Sequence, residues 1–249
     1  MNTSVVRFFG ASALLVLGLS ACGGPAAPAD AGASPAASAA SDTPSPTPTE
    51  AAFTMLTSDE LAEIAGAVKD SDSVALSVLP AEKVSQALEQ MMSLMTEVQV
   101  EPAECNSIAT GTAIKPDSNT TMAVGASTSS TAELTQTLSL VSGVEKEQLD
   151  QTLARRSSEI ADCSSISMNI KGMSMTAETI RLDSGAGTEG AIAMQTDVTL
   201  PTGGTQSTVM AFAVKGGVLI SAQATGSGVT SSDLAAAEAM LDQAAALID

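Results

Sequence analysis

The spacing of apolar positions divides the chain into three stretches. An apolar run, Phe8 to Leu19, comes first, and Gly23 to Glu50 shows no periodicity at all. From about Phe53 to Asp249 the pattern switches between a period of three to four residues, which marks helices, and a period of two, which marks strands. Leu61, Ile64, Ala65 and Val68 share one helical face, and Thr57 with Glu60 fits a capping box in front of it. Ser73 to Leu79 alternates through Val74, Leu76 and Val78 and predicts a strand. After Pro80, which suits a helix start, Val84, Leu88, Met91 and Met95 follow steps of four, three and four. Val98 to Val100 extends briefly before Pro102, where a short turn carries Cys105 and Ile108.

Thr120 to Ala126 predicts a strand that Gly125 bulges or weakens. Thr131 to Val141 places Ala132, Leu134, Gln136, Leu138 and Leu140 on one side, as a half-buried strand does, and Gly143 ends it. Glu145 to Asp162 is helical, with Leu149, Leu153 and Ile160 inward and Cys163 at its end. Period two then dominates: Ser165 to Ile170, Met173 to Leu182, Ala191 to Leu200, Val209 to Val214 and Val218 to Ala224. Short Gly-bearing turns join several of these strands, so neighbours pair antiparallel. Ser231 or Ser232 caps a last helix with the stripe Leu234, Ala237, Leu241, Ala245 and Ile248. Runs of adjacent strands with helices grouped around them predict an α+β fold. The expectation is one twisted antiparallel sheet of about six to eight strands, with helices packed mainly on one face. Residues 53–249 form one domain, and no internal repeat is visible.

The N-terminal run follows a segment with one positive side chain, Arg7, and ends in small residues, the layout of a secretory signal. It is short for a span, which takes roughly 20 residues. Leu19-Ser20-Ala21-Cys22 resembles the lipobox of bacterial lipoproteins. That resemblance implies cleavage after Ala21, a diacylglyceryl group on Cys22, and a domain held at the outer face of the cytoplasmic membrane. Residues 1–21 are then the signal peptide and 22–52 the lipidated cysteine with an Ala/Pro/Ser/Thr linker. As a flexible coil that linker reaches on the order of 30 Å, and its Pro-rich end stiffens it.

The formal charge is −18, and loss of Arg7 with the leader leaves −19. Such a surface does not neutralise phosphates, so nucleic acid is excluded as a partner, and an anionic leaflet repels it. There is no His, Trp or Tyr. A Ser-His-Asp triad, an imidazole metal site and an aromatic platform for stacking sugars or bases are therefore all absent. Besides Cys22, the even pair Cys105 and Cys163 predicts a disulfide in an oxidising compartment. Glu104 and Asp162 precede them, which disfavours a reactive thiolate.

The lipobox, the linker, the opening helix Leu56 to Ile64, the Pro102-Ala103-Glu104-Cys105 turn and the later helix ending in Cys163 together resemble actinobacterial cell-envelope lipoproteins. Their domain is similar to the extracellular sensor-domain family of the mycobacterial Ser/Thr kinase PknH. The resemblance implies a twisted antiparallel sheet with helices on one side and a ligand-binding cleft. That family usually has two disulfides and a Trp near its cysteines; this chain has one pair and no Trp, and no binding residue carries over.

Methionine is enriched, with Met91, Met92 and Met95 on a helix and Met168, Met173, Met175, Met194 and Met210 in strands. Thioethers can ligate Cu(I), but Met more often fills an irregular core or lines an adaptable apolar pocket. Met91, Met95, Met168, Met194 and Met210 are the candidate pocket lining, and no metal or cofactor is expected. Asp59, Glu60 and Glu63, like Glu145, Glu147 and Asp150, read as solvated helix faces, and no Ca²⁺-loop spacing occurs. Arg155-Arg156 pairs with Glu159 or meets an acidic partner. Gly185, Gly187 and Gly190 make a flexible loop and no phosphate cradle, since no helix follows. The expected function is a membrane-anchored, non-catalytic extracytoplasmic lipoprotein binding a small apolar ligand or an envelope protein. The alternative is a carrier of a lipid-like molecule in a Met-lined pocket.

Overall fold

Local signals place most of the elements. The computed structural model describes residues 55–106, 119–129, 134–170 and 172–248, without the side chains of residues 94–95 and 156–161. The leader, Cys22, the linker through Phe53, Ile108 and Ala132 lie outside the described residues, as do the side chains of Met95, Arg156, Glu159 and Ile160. Among the described residues there are four α-helices: α1 (Ser58–Ala67), α2 (Ala81–Met95), α3 (Lys146–Asp162) and α4 (Ser231–Ala245). The strands number nine: β1 (Ser77–Val78), β2 (Val98–Glu101), β3 (Thr121–Ser129), β4 (Leu134–Ser142), β5 (Ser165–Ile170), β6 (Met173–Leu182), β7 (Ile192–Thr199), β8 (Thr205–Lys215) and β9 (Val218–Gly226). All nine join one open antiparallel sheet in the order β1-β3-β4-β9-β8-β7-β6-β5-β2, so the fold is α+β as expected. The count exceeds six to eight by one, since the brief extension that begins at Val98 pairs with β5 and forms the edge strand β2.

α1 starts where its capping box lies: the Thr57 N–H and hydroxyl both donate to Glu60 Oε2, each at 2.7 Å. α4 is capped by Thr230 instead of Ser231 or Ser232. Thr230 has extended dihedrals (φ −128°, ψ 176°), and Asp233 reaches back to accept its N–H at 2.7 Å. The strand expected over Ser73 to Leu79 shrinks to Ser77–Val78. Asp70 Oδ1 takes the backbone N–H groups of Asp72 (2.9 Å) and Val74 (2.8 Å), and that side-chain turn consumes the preceding residues. Gly125 makes no bulge, for the β3–β4 register is continuous. It is a close-approach position: a Cβ there would lie 3.0 Å from Leu76 Cβ and 3.4 Å from the Ala65 carbonyl.

α1 and α4 bury their stripes on one face of the sheet, where Leu61, Ala65, Leu138, Leu140, Ala211, Ile220, Ala237 and Leu241 are fully enclosed. Cover is heaviest there, as expected. The opposite face is capped at one end by α3, whose Leu149 packs on Val141 and Leu219. At its other end sits a cluster around Cys105, Cys163, Met194, Met210 and Phe212.

α2 links the two edges of the sheet. Laid flat, eight strand spacings and a nine-residue register offset would put Val78 and Val98 about 48 Å apart. The helix and its flanking residues reach only about 42 Å. The sheet is therefore coiled, and α2 joins its two edge strands. Its stripe residues Val84, Leu88 and Met91 are only half-buried.

Candidate functional site

Register decides what each face of the sheet carries. Ala222 and Ala224 of β9 point toward α4, so Ser221, Gln223 and Thr225 face the other way, beside Thr137 and Ser139 of β4 and Thr208 of β8. These six side chains are half-buried. Six threonines stand directly opposite one another across six consecutive strands of this face: Thr128, Thr135, Thr225, Thr208, Thr196 and Thr179. Hydroxyl bonds join Thr208 to Thr225 at 2.9 Å and Thr179 to Thr196 at 3.0 Å. Cross-strand pairs of this kind stabilise a sheet. The row passes from exposed at Thr128 and Thr135 to buried at Thr179 and Thr196.

From β3 to β7 this face contains no Asp, Glu, Lys or Arg; the first ionisable side chain met is Arg181 on β6. In its midst Gln223 Oε1 is buried with no hydrogen-bond partner. Buried acceptors are nearly always satisfied, so this orphan needs a reason.

The other face carries a carboxylate clamp. Glu238 of α4 is buried and accepts the Ser184 hydroxyl at 2.8 Å and the Gly185 N–H at 2.7 Å. One turn on, Asp242 accepts the N–H groups of Gly187 (2.8 Å) and Thr188 (2.9 Å) and the Thr188 hydroxyl (2.6 Å). The glycine-bearing loop expected to be flexible is thus pinned to α4 along Ser184–Thr188. Burial pushes the Asp242 carboxyl up, but the Thr188 and Gly187 bonds outweigh it and hold it below the usual aspartate range. Because the folded pKa is depressed, the stabilisation is complete above the unfolded value and lost as pH falls through the folded one. Asp242→Asn is expected to destabilise by about 1 kcal/mol at pH 7. The gap from the parent should close below about pH 4, in thermal melts across pH. A gap that stays constant into acid would contradict this role.

A pocket of about 260 Å³ lies where α1 meets the end of α4, lined by Leu56, Glu60, Glu63, Ile64, Gly216, Leu247 and Ile248. Hydrogen bonds from Thr57 lower the Glu60 carboxyl pKa, first from its backbone and then from its hydroxyl. Of the methionines proposed as lining, none whose side chain is described takes part here. Met168, Met194 and Met210 are at most 4 % exposed and pack with Phe212, Ile166 and Val198, while Met91 is half-buried on α2. Cys105 and Cys163 are bonded, with Cα atoms 5.8 Å apart. Lys146 pairs with Asp150 at 2.7 Å on α3. Among the described residues no group of three metal-ligating side chains occurs, and no helix is long and apolar enough to cross a membrane.

The sequence pattern missed Gln223, Glu238 and Asp242. The spacing of Glu238 and Asp242 puts both on one helical face and was legible; their loop partners were not. The chain matches no family model and no curated protein. Among solved structures it is similar to the extracellular domain of PknH from Mycobacterium tuberculosis, at 10 % identity and a TM-score of 0.45, covering 77 % of this chain and 98 % of that one.

Proposed function

We propose that this chain is a lipoprotein held at the outer face of the cytoplasmic membrane, where its sheet domain binds a ligand without catalysing a reaction. The observation that carries it is Leu19-Ser20-Ala21-Cys22 at the end of an apolar run. A thiol at that place becomes an acyl anchor, and a linker reaching about 30 Å leaves the domain free of the surface. The disulfide suits an oxidising compartment. A ligand rather than a reaction is supported by a sequence without His and without Ser-x-x-Lys or Gly-x-Ser-x-Gly. It is supported too by the uncharged face around Gln223. The carrier reading is less favoured, because three of the five methionines it relies on are packed into a core. Cells fed labelled palmitate are expected to label the parent chain and carry it in the membrane fraction. Cys22→Ala should be unlabelled and leave that fraction. An unlabelled parent, or a variant that fractionates like it, removes the anchor.

A further inference from the structure

We infer that the pocket where α1 meets the end of α4 binds a linear aliphatic amine in its ammonium form. Leu56, Ile64, Leu247 and Ile248 hold the carbon chain, and Glu63 holds the charge. This deepens the ligand-binding reading above and rests on it.

The space admits a chain. The pocket offers about 260 Å³, well above the roughly 30 Å³ that one water takes up in the liquid. Its four apolar side chains are all aliphatic. Ile248 is buried at its floor, while Leu247 is 49 % exposed. That leaves apolar surface in contact with water, and methylene groups laid against it would remove both surfaces from water together.

Charge selects the head group. The ionisable groups of the lining are Glu60 and Glu63, one turn apart on α1, and no Lys or Arg is among them. Glu60 is already engaged in the helix cap, where its Oε2 accepts the Thr57 N–H and hydroxyl. Those bonds favour its ionised form. The Glu63 side chain is exposed and makes no hydrogen bond or ion pair among the described residues. It is the carboxylate left for a ligand. A fatty acid would bring a third negative charge to this pair and be repelled. An alcohol would gain the apolar contact alone. An ammonium on an aliphatic stem fits both parts, with the stem against the leucines and isoleucines and the charge at the wet rim, as a lysine side chain arranges itself. An aromatic cation fits less well, since the lining holds no ring to stack on and the chain has no Trp or Tyr.

The test follows Ile and Leu methyl resonances of the full mature protein. Hexylammonium chloride is added to about 20 mM, well past the Kd of about 1 mM expected for a ligand of this size. Hexanol, hexanoate, methylammonium and the peptide Gly-Lys-Gly are added in parallel. The methyls of Ile64, Leu247 and Ile248 should shift saturably with hexylammonium. Hexanol, hexanoate and methylammonium should each need roughly tenfold more, because each lacks the chain or the positive charge. Glu63→Gln and Leu247→Ser alter exposed side chains and should leave the fold intact. Each should weaken hexylammonium by roughly threefold. No saturable shift at these methyls, or an affinity unchanged in either variant, overturns the site and leaves the palmitate result untouched. Hexanol or hexanoate binding as tightly as hexylammonium, or Gly-Lys-Gly binding more tightly, overturns the free amine while leaving the ligand-binding reading intact.

Discussion

Replacing Cys105 and Cys163 together by alanine is expected to lower the unfolding free energy by about 4 kcal/mol, the chain-entropy value for a loop of this length. For a domain of this size the thermal midpoint should fall by roughly 10 °C. The bond spans 58 residues, and both cysteines are buried in the cluster that also holds Met168, Ala177 and Phe212. It also has a local task. β2 is an edge strand of four residues, paired only with β5. Cys105 follows β2 closely and Cys163 directly precedes β5, so the bond staples that pair from outside the ladder. Amide exchange should accordingly be fastest in Val98–Glu101 of the reduced or doubly substituted protein. A double variant that melts within 2 °C of the parent would show that the loop entropy is offset elsewhere.

Gly143→Ala is expected to cost about 3 kcal/mol, the sum of a left-handed backbone penalty and an overpacking cost. Gly143 has φ +79°, and a Cβ there would collide with the backbone carbonyl of Asn119 and come within 3.3 Å of Thr120 Cα. That backbone leads straight into β3, whose first residue, Thr121, pairs with Ser142. It cannot yield without pulling on the ladder. Gly172 separates the two causes. Its φ is +83°, but nothing lies within 4 Å of an added Cβ. Gly172→Ala should therefore pay the backbone penalty alone, about 1 kcal/mol. Urea midpoints at constant m-value measure both. Equal losses at the two glycines would mean that the Asn119 contact costs nothing.

The candidate site illustrates where sequence reading stops. In Ser221-Ala222-Gln223-Ala224 the alternation announces a strand with one small apolar side and one polar side. A polar side ordinarily means solvent. Here β9 lies between β4 and β8 in the middle of the sheet, so its polar side is half-buried and one amide oxygen loses its water. The six threonines behave likewise. Each is an ordinary polar strand residue, and only the register puts them in one row. β8 runs five residues longer than its apolar alternation over Val209 to Val214, because Thr205 to Thr208 and Lys215 pair through their backbones and their side chains say little.

By itself the sequence determined the helices, most strands, the α+β class, the cysteine pair and the expected export signal. These depend on capping, periodicity and spacing, which act between residues a few positions apart or follow from residue type. Only the tertiary structure decided the strand order, the edge strands that α2 joins, the pinning of Ser184–Thr188 to α4 and the isolation of Gln223. Those come from pairings between residues tens of positions apart, and slipping a strand by one residue would reverse which side chains are enclosed.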